Sequence, residues 1–149
     1  MTTEETKRRE KAMGRIFVDV GLSNIRDVYL AETGAIPVEQ IRKLRIEGTI
    51  DSGANHLVLP TAVAEHLGLF KTGEATVRYS DGRTGRRETV DAVELELLGR
   101  KGTFRALLEP DRTTALIGAI VMEDLDMLID CVNQRVHPRD PNRILAEIE

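Results

Sequence analysis

The stretch TIDSGANHLVLP, residues 49–60, decides how the rest of the chain is read. A strand-like run ends on Asp51, turns through Ser52, Gly53 and Ala54, and sets off again into Leu57, Val58 and Leu59. Apolar neighbours on both sides point this aspartate toward the interior. An isolated buried carboxylate is costly, so it is paired, neutralised or employed. Just upstream, Leu44, Ile46 and Ile50 alternate with Lys43, Arg45, Glu47 and Thr49, the spacing of a half-buried strand that delivers Asp51 at its end.

Working outward, Ile16, Val18, Val20 and Leu22 alternate in the same way and predict an earlier strand. Residues 23–40, with Gly34 and Pro37, read as a connection without assigned structure. After Asp51 the segment HLVLP predicts a short buried strand, and PTAVAEHLG a short helix with Pro60 in its first turn and Gly68 as its C-terminal cap. Residues 74–110 are strand-rich, with turn signals at Asp81-Gly82 and over residues 99–102. Val93, Leu95 and Leu97 mark the buried face there. The last part predicts a strand ending at Gly118, a short helix over residues 119–125, and a hairpin around Asn133-Gln134. Short strands with closely spaced turns and one or two short helices make a mostly β barrel or sandwich.

The chain of 149 residues suits one domain, long enough to bury about 68–70% of its unfolded surface. An apolar fraction of 41% beside 31% charged residues is that of a soluble globular protein, so the core is built from Leu, Ile, Val and Ala. A net charge of -4 and an aromatic content of 3% argue against a nucleic-acid partner, which calls for a basic face and stacking rings. Cys131 is the single cysteine, so no disulfide forms within the chain, and it reads as a small core residue. No apolar run spans a bilayer and the N-terminus lacks an apolar leader core, so the expected setting is cytoplasmic, with no membrane partner.

The segment IDSGANHLVLP resembles the active-site motif of the retroviral-type (retropepsin-like) aspartic proteases, and most of all their small bacterial single-motif members. Two later features stand in the order of that family. Tyr79, Ser80, Asp81, Gly82 and Arg83 stand where the family has its flap hairpin, and Leu116, Ile117 and Gly118 resemble its apolar-apolar-Gly motif ahead of a short helix. The resemblance implies a closed or partly open β-barrel of that type over residues 14–138. A polar tail over 1–13 precedes it, and a tail over 139–149 follows, in which Ile144, Leu145 and Ile148 stand at helical spacing.

It also implies a chemistry. In such proteases two carboxylates sharing one proton activate a water molecule, one acting as base while the other donates to the scissile carbonyl. This chain carries one such motif, so the resemblance implies a homodimer in which Asp51 of each subunit meets the other at a two-fold axis, with no cofactor or metal. Ser52 would hold the paired loops together, Gly53 would let backbone approach the carboxylate, and Ala54 completes the loop. Tyr79 to Arg83 would cover an extended peptide or protein substrate, with apolar side chains preferred beside the scissile bond. Gly118 would lie under the catalytic loop. The alternative is a catalytically silent dimeric module that binds an extended peptide or partner protein.

Other polar groups have plainer readings. His56, His66, His137 and Cys131 are too scattered in sequence for a metal site. Arg83, Arg86 and Arg87 lie among Asp81, Glu88 and Asp91, which reads as a solvated hairpin face. Asp124 and Asp126 read as a solvated helix end, and Asp130, with no Ser/Thr-Gly after it, as a structural acid.

Overall fold

Period-two alternation becomes nine strands in the computed structural model, which describes residues 15–149. The polar tail expected over residues 1–13 lies outside them. The strands are β1 (Ile16–Asn24), β2 (Lys43–Ile50), β3 (Leu57–Pro60), β4 (Phe70–Arg78), β5 (Thr84–Leu97), β6 (Arg100–Glu109), β7 (Ala115–Ile117), β8 (Met127–Asp130) and β9 (Arg135–Pro138). The helices are α1 (Ile25–Glu32), α2 (Thr61–Leu67) and α3 (Ala119–Asp124).

Pairing runs β1-β2-β7-β3-β6-β5 and returns from β5 to β1, so six strands close into a barrel. β5 makes closure possible because it is long enough to serve two neighbours along one edge. Its first half pairs with β4, and Val93 to Glu96 pair with β1. The alternating Val93, Leu95 and Leu97 are fully buried there, and Val20, Leu22, Leu57, Leu59 and Ile117 join them inside. The mostly β, closed-barrel expectation therefore holds, with three helices rather than one or two. No helix among the described residues is long and apolar enough to cross a membrane.

The added helix is α1, inside the stretch left unassigned in sequence. Its local signal is Asn24, whose side chain accepts the Asp27 amide as an N-cap. Asn24 also donates through Nδ2 to the Leu67 carbonyl at 2.8 Å, tying α1 to the end of α2. Asp27 is buried and accepts three bonds from Arg42, from its amide, Nε and Nη2. Gly68 caps α2 at φ 63°, as the sequence predicts.

Three further sequence expectations are corrected. The second hairpin turns at Leu98 and Gly99, both at positive φ, and Gly102 lies within β6, because two left-handed residues suffice to reverse the chain. Cys131 is exposed in the β8–β9 turn, outside the core, since the buried run ends with β8. No helix forms over residues 139–149, where Ile148 is 95% exposed. With no surface to dock on, a segment this short gains too little to nucleate a helix.

The Asp27–Arg42 pair yields a stability prediction. Hydrogen bonds from the Arg42 guanidinium hold Asp27 below the usual carboxylate value, against the opposing effect of burial. A depressed carboxylate stabilises the fold fully above its unfolded value of about 4 and loses that contribution as pH falls through its folded one. Because the Arg42 side chain is 48% exposed, Asp27→Asn is expected to cost about 2 kcal/mol at pH 7, less than a fully buried pair. Urea unfolding checks this, and the gap between variant and wild type should narrow below about pH 4.

Candidate functional site

β2 and β7 run parallel in the register Thr49↔Leu116 and Ile50↔Ile117, so their C-terminal ends arrive together. Asp51 follows one strand and Gly118 the other. The Asp51 amide donates to the Ile117 carbonyl at 3.0 Å. The chain then turns: the Ala54 amide donates to the Asp51 carbonyl at 3.1 Å, and the Gly53 amide donates to Asp51 Oδ1 at 2.9 Å. One carboxylate oxygen is thereby fixed, while Oδ2 accepts no hydrogen bond among the described residues.

The loop is clamped from the other side by α3. The first amides of a helix have no partner within it. Here Ala119 donates to the Ala54 carbonyl at 2.8 Å and Ile120 to the Asn55 carbonyl at 2.9 Å. Gly118 stands between strand and helix at φ -90°, a conformation open to any residue, so space and not backbone freedom demands glycine. A Cβ there would lie 2.5 Å from the His56 carbonyl oxygen and 2.7 Å from the Asn55 carbonyl carbon.

Asp51, Ser52 and Gly53 are all exposed, and Ala54 is half-buried. The inward-facing aspartate expected from its apolar flanks is thus a surface group in the single chain: the loop leaves the barrel at the end of β2, and Ile50 is the last buried side chain before it. The Ser52 hydroxyl has no partner among the described residues.

The β4–β5 hairpin brings Tyr79, Ser80, Asp81, Gly82 and Arg83 together at its tip. The Tyr79 amide donates to the Arg83 carbonyl at 2.8 Å and the Gly82 amide to the Tyr79 carbonyl at 2.9 Å, with Gly82 at φ 89°. Asp81 accepts from the Arg83 amide at 2.9 Å and from its Nε at 2.6 Å, bonds that hold the Asp81 carboxyl below its ordinary value. The tip's charges are therefore largely spent on each other. Ser80 is exposed. Among the described residues no hydrogen bond or ion pair links this tip to residues 51–54.

Its base is anchored by a residue the sequence reading passed over. Tyr79 Oη donates to Glu109 Oε2 and Arg87 Nε donates to Glu109 Oε1, both at 2.8 Å. The Arg83 and Arg87 guanidinium groups lie 5.2 and 5.6 Å from the Tyr79 ring centre. Burial, then Glu109, pushes the Tyr79 phenol above its ordinary value. Arg86 pairs with Glu74 at 2.9 Å, so the hairpin's basic cluster is matched by carboxylates of its own chain. Arg112 was also missed. It sits half-buried in the turn before β7, where burial pulls its guanidinium below the ordinary value.

The remaining candidates stay apart from this site. Asp130 accepts the Val132 and Asn133 amides and the Asn133 side chain, which closes the β8–β9 turn. Asp126 pairs with Arg139 at 2.9 Å, while Asp124 is exposed. Among the described residues no three His, Cys, Asp or Glu side chains gather where a metal ion would fit.

No family model and no curated protein matches the chain. Among solved structures it is similar to the EIAV protease in complex with an inhibitor, at 21% identity and a TM-score of 0.44, over 54% of this chain and 77% of that one. It is also similar to the foamy viral protease-reverse transcriptase bound to an RNA/DNA hybrid, at 20% identity and a TM-score of 0.44, over 52% of this chain and 10% of that one.

The crowding at Gly118 is testable. Gly118→Ala must displace the backbone of Asn55 and His56, at an expected cost of about 1–3 kcal/mol in urea unfolding. Any activity that depends on Asp51 should fall with it, more than the loss of folded protein explains.

Proposed function

We propose that the chain is a homodimeric aspartic endopeptidase. Water held between Asp51 of one subunit and Asp51 of its partner attacks the peptide carbonyl directly, with no acyl-enzyme. The observation that carries this reading is the Asp51 carboxylate: one oxygen is fixed by the Gly53 amide, the loop is pinned to β7 and α3, and the group is left exposed. That is the arrangement a shared-proton pair requires, because each carboxylate must be aimed before its twin arrives. Asp130, the other acid that follows an apolar strand, is occupied in closing its own turn, which supports drawing the second carboxylate from a partner subunit.

In this reading Ser52 is free to bond across the dimer axis, Gly53 orients the carboxylate, and Ala54 ties the loop to α3. The hairpin tip over Tyr79 to Arg83 covers the cleft, and an extended peptide or protein substrate binds by strand-like main-chain hydrogen bonds. Leu116, Ile117 and Gly118 act as the supporting second motif. Neither a metal nor a cofactor takes part. A cytoplasmic setting belongs to the same proposal and rests on the single cysteine, which leaves no intrachain disulfide.

The charged hairpin tip favours a second reading, in which the dimer binds an extended peptide without cleaving it. Asp51→Asn separates the two. The purified protein and the variant are incubated with a diverse peptide mixture between about pH 4 and 7, where such a pair passes through its singly protonated state. New termini, read by mass spectrometry, are expected from the wild type alone, with the variant down by at least about a hundredfold. Equal silence from both, with a dimer confirmed by sedimentation, would favour the binding module. A chain that sediments only as a monomer at high concentration would sink the enzyme.

A further inference from the structure

We propose that Glu109 is a positioning residue of the candidate site: its carboxylate is a clamp that sets the β4–β5 hairpin in one place before substrate arrives. The inference deepens the endopeptidase reading and rests on it for the hairpin's part as cover of the cleft.

The hairpin leaves the barrel as a ribbon of two strands. β4 pairs with β5 alone, and β5 pairs with β6 no nearer the tip than Thr89↔Leu107. From there to the tip no main-chain ladder joins the ribbon to the barrel, and an unsupported two-stranded hairpin is marginally stable in water. Its side chains brace it from within: Thr72 bonds Thr89, Lys71 pairs with Glu88, Arg86 with Glu74 and Arg83 with Asp81. Among the described residues, the side-chain hydrogen bonds and ion pairs of residues 71–88 stay inside the hairpin, apart from those that end on Glu109.

Glu109 stands on the barrel side of that gap. Its backbone lies in register with Pro60 of β3, two residues past Leu107, where β6 has already parted from β5. The carboxylate reaches across. Oε2 accepts from Tyr79 Oη, just past the end of β4, and Oε1 accepts from Arg87 Nε in β5, both at 2.8 Å. One group thereby ties both strands of the ribbon to the barrel. The Glu109 and Arg87 side chains are 20% and 30% exposed, so their charged bond is shielded from water and worth more than a surface pair.

From Tyr79 the hold continues to the tip. The guanidinium groups of Arg83 and Arg87 stand 5.2 and 5.6 Å from the Tyr79 ring centre, and Arg83 Nε donates to Asp81 at 2.6 Å. Tyr79 cannot swing away without giving up the phenol bond and both ring contacts together. Glu109 acts through the hairpin and not on Asp51. A hairpin that is already fixed loses less freedom when a peptide binds beneath it, so removing the clamp weakens binding and spares the chemical step.

The test reads hydrogen exchange, binding and cleavage on the same proteins. The probe is the peptide most cleaved from the mixture or, if none is cleaved, the one best retained by Asp51→Asn protein. Glu109→Ala should speed amide exchange over residues 77–88 by about tenfold or more and leave residues 93–97 unchanged. It should raise Kd, read on Asp51→Asn protein, and KM by about tenfold, with kcat altered by no more than about twofold. Tyr79→Phe should act in the same direction and less. Glu109→Gln should fall between wild type and Glu109→Ala, since its amide can still accept from Arg87 and donate to the phenol oxygen.

Unchanged exchange in the hairpin of Glu109→Ala overturns the clamp. So does equal loosening of residues 93–97 in both Glu109→Ala and Tyr79→Phe, which marks a general structural role. Faster hairpin exchange with Kd and KM unmoved sinks the positioning role alone and leaves the protease standing where cleavage persists. A shifted Kd without cleavage by the wild type keeps Glu109 and sinks the protease. A mixture from which nothing is cleaved or retained sinks both.

Discussion

The Asp51 amide reaches the Ile117 carbonyl because two strands far apart in sequence lie parallel and end level with each other. Everything at the candidate site follows from that alignment. Parallel neighbours present their C-terminal ends on the same side, so the loop leaving β2 and the helix leaving β7 must share one small volume. The amides that open α3 need acceptors, and the carbonyls of Ala54 and Asn55 supply them. The fit is close enough that the residue between β7 and α3 has no room for even a methyl group. A loop held by backbone bonds on both flanks keeps its carboxylate aimed without any side chain being spent on the task.

Glu109 carries a similar logic to the far side of β5. It sits at the end of β6, where its two oxygens hold Tyr79 and Arg87 of the hairpin while its backbone carbonyl receives the Arg112 amide. The hairpin and the turn before β7 are therefore fastened to one residue.

Much of this was legible in the sequence, and the rest was hidden for physical reasons. Period-two alternation marked β1, β2 and the buried half of β5, because one face of each packs against the core. Gly82 and Gly68 marked turns by their need for positive φ. α1 left only its capping signal at Asn24, since eight residues with one buried side chain carry no clear apolar stripe. Barrel closure was legible only through the resemblance of the Asp51 segment, as it depends on which edges meet and not on any local pattern. Glu109 gave no sign either: its partners Tyr79 and Arg87 come from a hairpin remote in sequence, and a glutamate at a strand end looks like any solvated charge. Asp51 itself was found through its Ser-Gly sequel, although its exposure ran against its apolar flanks.

The site residues divide by what they do for the barrel, and the division decides how their substitution is to be interpreted. Asp51 and Ser52 lie outside the core, with the Asp51 side chain held by a single amide, so an isosteric change at Asp51 leaves the fold almost untouched. Gly118 is the opposite case: it is buried against backbone that has no rotamer to adopt, so any larger residue there alters loop and barrel together. Under the proposed function, a loss of activity at Gly118 would speak of position, whereas one at Asp51 would speak of mechanism.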